Sequence, residues 1–339
     1  VVVRRVRLRF APGLEVEFTD RGRGIRQVYE LAERGTRAPV VVYGPEGCGK
    51  TAWLRQASEV LREEGYDVIY INVLQREYAT YTDIGEVVEM LSEAVADITG
   101  YTAIKLADLA VLLASQLLKR WRRKRVALLV DELFQAIGLD RAETYTKALL
   151  NIIEYPPEPY ESIVVVVTTS EGLSRWRVGR HRWADLRPMW NMPRGGFEEL
   201  YGRVPGPKPP LEDSWRLTGG NPYAFSQLLE SSWRVDRVVS TLVDGRGLTP
   251  GFVSRWRRWL ELAVEDPDSL WGPEVPEELA NELVSRNLIV YSLRSRDPEL
   301  WVDEPPPERD PDIGIGRYVA WQTPLHREAV RRALGGHRS

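Results

Sequence analysis

Apolar residues in the first half of the chain fall into short unbroken blocks separated by stretches of helical spacing. The blocks are "APVVVYG" (38–44), "DVIYINVL" (67–74), "RVALLVDE" (125–132) and "SIVVVVTTS" (162–170). Continuous β-branched runs of this length, bounded by Gly, Pro or polar residues, predict strands buried on both faces. Between them, residues 25–33, 51–64, 84–98, 104–119 and 141–154 repeat apolar positions every three to four residues. This spacing predicts helices, and Gly65 and Pro156-Pro157 read as stops. Strands alternating with helices predict an α/β core with a parallel sheet. Ahead of it, "RLRFAPGLEVEF" (7–18) alternates apolar and polar around Pro12-Gly13 and predicts a small hairpin.

The texture changes after Ser170. "RWRVGRHRW" (175–183) is basic and aromatic, and residues 203–210 form a Pro-rich connector. "NPYAFSQLLESSW" (221–233) predicts a helix with Asn221 as its N-cap and Pro222 at its first position. Two further helical patterns, 253–264 and 277–286, precede "NLIVYSL" (287–293). A charged, Pro-rich excursion follows at 297–312, the segment expected to be most mobile. "RYVAWQT" (317–323) and a last helix at 324–334 complete the chain. Helices followed by two strands and a loop predict a winged helix-turn-helix. The expected organisation is an α/β core at 1–175, a helical lid at 176–248 and the winged helix at 249–339.

The chemistry enters at the end of the first block. "GPEGCGKT" fits G-x-x-x-x-G-K-[ST], with Gly44, Gly49, Lys50 and Thr51 at the defining positions and Pro45, Glu46, Gly47 and Cys48 between them. Glycines let the backbone turn tightly enough for its N–H groups to converge on phosphates. Lys50 supplies a point charge for the β- and γ-phosphates. The Thr51 hydroxyl is a candidate Mg²⁺ ligand, and the helix through Ala52 turns its positive end to the same anions. Downstream, "ALLVDE" delivers Asp131 as a second candidate metal ligand and Glu132 as the candidate base that polarises an attacking water. The polar strand end offers Thr169 or Ser170 as a γ-phosphate sensor. Arg175, Arg177, Arg180 and Arg182 follow. Arg175 and Arg180 are the candidates for a cation reaching the phosphates, in cis or from a neighbouring subunit, and solvated surface charge is the other interpretation of each. Cys48, at a helix N-terminus, raises the idea of a thiol open to oxidative inhibition.

Composition adds limits. In 339 residues there are 46 Lys and Arg against 49 Asp and Glu, a formal net charge of −3, so bulk charge gives no pull toward nucleic acid. Residues 250–339 hold 12 Lys and Arg against 16 Asp and Glu. The helix at 277–286 carries Glu277, Glu278 and Glu282 against Arg286, which opposes a polyanion. Arg294 and Arg296 of the wing work the other way. The single cysteine excludes an intrachain disulfide and fits a reducing interior. No apolar run approaches the roughly 20 residues that span a bilayer, so a cytoplasmic protein is expected. Twelve tryptophans stand out. Core packing, cation–π pairs and stacking on single-stranded bases are all open for them.

Taken in order, "FTDR" (18–21), "GPEGCGKT", "LLVDE" and "GGNP" (219–222) make the chain similar to the archaeal ATPase family of P-loop proteins, related to the STAND and AAA+ ATPases and to origin-recognition initiators. The first element resembles the family's F-x-x-R, with Phe18 and Arg21 at its ends, although Gly22 stands where related proteins commonly carry an acidic residue. The last resembles the G-x-P turn whose Pro, here Pro222, lies against the adenine. The resemblance implies ATP rather than GTP as the nucleotide. It also implies a core sheet with the acidic strand beside the phosphate-loop strand, a helical lid and a C-terminal winged helix. No Arg follows Pro222 in the lid helix, which favours the STAND-like branch. Two functions stand side by side: a Mg²⁺-dependent ATPase acting as a nucleotide-gated switch, with slow or partner-stimulated hydrolysis and an unidentified protein partner, and a DNA-associated AAA+-like ATPase that uses the winged helix on DNA.

Overall fold

The computed structural model describes residues 4–96, 102–170, 172, 178–180 and 182–336. They fall into two compact units. The first holds residues 4–6, Gly22–Tyr43 and Lys50–Arg187. The second holds Arg7–Arg21, Gly44–Gly49 and residues 188–336. By its contacts, therefore, the glycine-rich loop belongs to the second unit, although the strand before it and the helix after it belong to the first.

The first unit is built on a six-stranded sheet. Its strands are β3 (Val40–Tyr43), β4 (Asp67–Asn72), β5 (Glu77–Tyr81), β6 (Arg125–Asp131), β7 (Ser162–Thr169) and β8 (Asp185–Pro188), in the order β5-β4-β6-β7-β3-β8. β4, β6, β7 and β3 run parallel. β3 and β7 are buried along their whole length, and β4 and β6 from their second residue on. Successive strand residues alternate between faces. Ile69, Ile71, Leu128, Val130, Val165 and Val167 pack on one side, against residues of α3 (Gly85–Ala96), α4 (Thr102–Lys119) and α6 (Leu139–Glu154). On the other side lie α1 (Gly22–Arg34) and α2 (Lys50–Glu63), joined by the Trp53 indole N–H donating to Gly24 O at 3.1 Å.

One implied feature is corrected. The acidic strand β6 does not adjoin the phosphate-loop strand β3: β7 lies between them and pairs with both. Parallel strands accept any order their crossovers can reach, and the apolar pattern does not encode that order. The pattern also misses β5, β8 and the short α5 (Leu133–Ile137). β5 is an antiparallel edge strand with half-exposed side chains, so it lacks a continuous apolar run.

The second unit begins with the expected hairpin, β1 (Arg7–Ala11) and β2 (Leu14–Glu17). It continues through α7 (Arg194–Arg203), α8 (Leu211–Thr218), α9 (Pro222–Glu230), α10 (Val235–Gly245), α11 (Pro250–Glu265) and α12 (Glu277–Ser285). It closes with the antiparallel pair β9 (Ile289–Tyr291) and β10 (Val319–Trp321) and with α13 (Pro324–Gly335). Phe197 and Phe225 meet edge to face at 5.1 Å in one core, beside Trp215 and Trp233. Trp190 and Trp301 share a second core with Ile313 and Ile315. Packing thus accounts for these four tryptophans. The 297–312 excursion, expected to be mobile, is instead anchored at its middle. Trp301, Val302 and Asp303 are each 1–2% exposed, and Val302 N–H donates to Pro188 O at 2.9 Å.

Candidate nucleotide site

In the first unit the carboxyl ends of the parallel strands align polar groups in register. Asn72 lies opposite Asp131 on β6, and β7 continues the row with Thr168, opposite Val42. Asp131 is completely buried. A buried carboxylate is tolerated only when donors replace its water, and three do so. Tyr70 donates its phenol proton to Oδ2 at 3.1 Å, Asn72 donates Nδ2–H to Oδ2 at 2.9 Å, and the Thr168 hydroxyl donates to Oδ1. Burial first, then the Asp131 charge, pushes the Tyr70 phenol well above its ordinary pKa, so it remains a donor. Thr168 in turn accepts from Glu132 N–H at 3.1 Å.

Glu132 follows with φ 55° and ψ 35°, a left-handed conformation that strains a residue bearing Cβ. Both oxygens of its carboxylate are engaged: Ser170 Oγ–H donates to Oε1 at 2.7 Å and Ser170 N–H to Oε2 at 3.1 Å. The two acidic residues are therefore held differently. Asp131 is fixed in the sheet, while Glu132 is bonded by one serine at the end of β7. Thr169 is wholly buried.

The second unit shapes the loop. Glu46 O accepts from Asn221 Nδ2 at 2.9 Å, Gly47 O from Tyr223 N–H at 3.3 Å and Cys48 O from Arg21 Nη2 at 2.6 Å. In a trans peptide the N–H points opposite to the C=O. Tying back three consecutive carbonyls therefore turns the N–H groups of Gly47, Cys48 and Gly49 the other way. Cys48 N–H closes a turn onto Pro45 O at 3.2 Å. Gly47 and Gly49 have φ of 74° and 103°. A Cβ on Gly47 would stand 2.2 Å from Tyr223 Cβ, so no larger residue fits. Such a cradle suits an anion. Lys50, 3% exposed, and Thr51 follow directly as the first residues of α2, where the helix dipole adds positive potential.

Glu46 is held by more than its carbonyl. Its N–H donates to Gln322 Oε1 at 2.8 Å, and its carboxylate pairs with Arg246 Nη2 at 2.5 Å. Asn221 caps α9 by accepting from Ala224 N–H at 2.9 Å, as expected, and also donates to Asn191 Oδ1 at 2.8 Å. Pro222 is the first residue of α9.

Arg21, 2% exposed, is the anchor of this network. Besides Cys48 O it donates to Trp190 O at 2.8 Å and to Asp303 Oδ2 at 3.1 Å. Three acceptors in different directions suit a guanidinium fork and exceed what one ammonium satisfies in the same geometry. Arg21→Lys is expected to lower stability by about 2 kcal/mol, the loss of one or two buried charge-assisted bonds, measured by urea unfolding. An unchanged midpoint would remove Arg21 from this anchoring role. Phe18, 6% exposed, is buried just before it.

Arg180 and Arg182 are exposed, and Arg175 and Arg177 lie outside the described residues. Cys48 is wholly buried, with Sγ 3.8 Å from Met189 O, so an oxidant has no access to the thiol and the expected oxidative route is not supported. Residues not foreseen are Tyr70, Asn72, Thr168, Arg246, Asp303 and Gln322. Only Asn72 and Thr168 carried a local signal, as polar residues at the ends of apolar blocks.

The donor set limits how a metal ion can be held. Among the described residues no group of three or more His, Cys, Asp and Glu could hold one, so a metal here would need ligands from phosphate and water. A carboxylate offers about four acceptor positions. Three on Asp131 are taken, leaving one on Oδ1. One free acceptor together with the Thr51 hydroxyl fits Mg²⁺, which keeps several waters and binds with few protein ligands.

A family model described as "ATPase domain predominantly from Archaea" matches residues 18–228. The chain belongs to this family. It is accordingly a P-loop ATPase in the general sense, as the motifs implied. Similar solved structures include the Orc1 protein of Aeropyrum pernix in complex with DNA, at 16% identity and a TM-score of 0.42, covering 94% of this chain and 93% of that one. Cdc6p from Pyrobaculum aerophilum is 13% identical with a TM-score of 0.39, over 98% and 100% of the two chains. AMPPCP-bound DnaA from Aquifex aeolicus is 17% identical with a TM-score of 0.37, over 66% and 68%. No curated protein matches the chain. Among the described residues no helix is long and apolar enough to cross a membrane.

Proposed function

We propose that this protein is a Mg²⁺-dependent ATPase working as a nucleotide-gated switch, with hydrolysis that is slow until a protein partner stimulates it. The observation that carries the gating is the double hold on Glu46, by Gln322 and Arg246. A phosphate chain entering the loop changes the field at Glu46, and residues far along the chain feel it directly. Slow turnover is supported by Glu132, whose two oxygens are both occupied by Ser170. A general base must come within hydrogen-bond reach of the water it activates, and turning the Glu132 carboxylate away from Ser170 breaks those bonds.

In this proposal the N–H groups of Gly47 and Gly49, with Lys50, bind the β- and γ-phosphates. Thr51 and Asp131 hold Mg²⁺, which when bound neutralises developing charge on the phosphates. Ser170, with Thr169 beside it, senses the γ-phosphate by exchanging it for Glu132. Pro222 lies against the adenine, and Arg175 or Arg180 supplies a further cation. Residues 176–248 serve as lid and 249–339 as a STAND-like winged helix, in a cytoplasmic protein.

The test is the nucleotide content of the purified protein, read together with phosphate release from Mg²⁺–ATP with and without DNA. Retained ADP and a low basal rate are expected. A protein that purifies empty and turns over rapidly unaided is no gated switch. One that never turns over, with DNA or any partner added, is no ATPase.

A further inference from the structure

Tyr70 and Arg55 form a device that the proposal above does not use. Tyr70, Asn72 and Asp131 lie on one face of the sheet, because Tyr70 and Asn72 are two residues apart on β4 and Asn72 pairs with Asp131. The same face meets α2. From α2, Arg55 Nε donates to the Tyr70 phenol oxygen at 3.3 Å, and the guanidinium stands 5.7 Å from the ring centroid. The far side of Arg55 is tethered by an ion pair to Glu77 on the edge strand β5.

The direction of these bonds matters. Arg55 has protons only to give, so the phenol oxygen accepts from it and the single phenol proton is left for Asp131 Oδ2. Oδ2 also takes the Asn72 amide and is thereby saturated. Oδ1 takes only the Thr168 hydroxyl, and the carboxylate cannot rotate without losing all three bonds. The free acceptor position therefore stays on Oδ1. Arg55 is also four residues after Thr51 on α2, one helical turn along the same face. Through one phenol and one guanidinium, Asp131 is thus linked to α2, the helix that opens with Lys50 and Thr51.

We propose that Tyr70 is a positioning residue for Mg²⁺ binding, fixing which oxygen of Asp131 faces the metal, and that Arg55 acts through it by orienting the phenol proton. This inference rests on the proposed Mg²⁺–ATP site. A buried phenol that only fills space and finds a partner is the competing account, and the two differ in what Mg²⁺ sees.

The experiment titrates Mg²⁺ into the 339-residue chain loaded, in chelator-treated buffer, with a fluorescent ATP analogue. The readout is the half-saturating Mg²⁺ concentration, with metal-free analogue affinity measured separately. Tyr70→Phe is expected to raise the half-saturating concentration about tenfold, the lower end for loss of a group that orients a metal ligand, and to leave metal-free affinity unchanged. Arg55→Gln moves it the same way by less, and the double variant is no worse than Tyr70→Phe alone. Wild-type Mg²⁺ dependence in Tyr70→Phe overturns the proposal, as does an equal loss of affinity with and without metal. Arg55 reaches the surface, so Arg55→Gln carries the test alone if Tyr70→Phe does not fold, and wild-type Mg²⁺ dependence in it is then decisive against the proposal. A wild-type protein that binds the analogue with no response to Mg²⁺ removes the Tyr70 role and the metal site while leaving nucleotide binding standing. A wild-type protein that binds no analogue removes the proposed function itself.

Discussion

Glu132→Gln is expected to bind Mg²⁺–ATP as the wild type does and to hydrolyse it about 10²–10⁴-fold more slowly, the usual contribution of a positioned general base. The substitution keeps size and shape and removes only the basic oxygen. Its Oε1 can still accept from Ser170, so the contact at the end of β7 survives in part. The left-handed backbone at residue 132 is unchanged. Stability should therefore move little, which separates a chemical effect from a folding one. The measurement is phosphate release under saturating ATP, with affinity determined by calorimetry. Turnover at the wild-type rate would mean that another group activates the water and that Glu132 has been misassigned.

Lys50→Ala acts one step earlier. Lys50 opens α2 directly after Gly49, nearly excluded from water. A hydrogen bond to a charged group is worth about 1.5–3 kcal/mol, so ATP affinity should fall about 10–150-fold. Because the ammonium reads phosphate and not base, ATP and ADP should both weaken while adenosine is indifferent to the change. Calorimetric titration of all three ligands checks this. A parallel loss for adenosine would point to damage of the whole loop, and unchanged ATP binding would exclude the loop as the nucleotide site.

The two halves of this site were unequally visible in the amino-acid sequence. Gly44 to Thr51 and the Asp131–Glu132 pair are local: their chemistry depends on spacing along a few residues, and spacing is what a sequence displays. The four interior strands were legible for the same reason, since burial on both faces leaves a run such as Val164–Val167 without polar interruption. Thr168 and Tyr70 matter through register, 37 and 61 residues from Asp131 along the chain, and nothing local records which strands pair. The placement of β7 between β3 and β6 is the same kind of fact. It divides the labour at the end of β7, with Thr168 bonded to Asp131 and Ser170 to Glu132. The longest reaches were least visible of all. Asp303 lies 282 residues from Arg21, and Gln322 lies 276 from Glu46. In sequence, Asp303 was one more acidic residue in a Pro-rich excursion.

Arg21 and Asp303 also set where this protein can be cut. The family match ends at residue 228, a natural place to divide the chain. A fragment trimmed there would keep the guanidinium of Arg21 and its grip on Cys48 O, yet lose the carboxylate that balances its charge, along with Gln322 and Arg246 from Glu46. Homology thus marks out a shorter stretch than the one that holds the loop in shape. The family match ends at residue 228, while the contacts that hold the loop run on to Gln322.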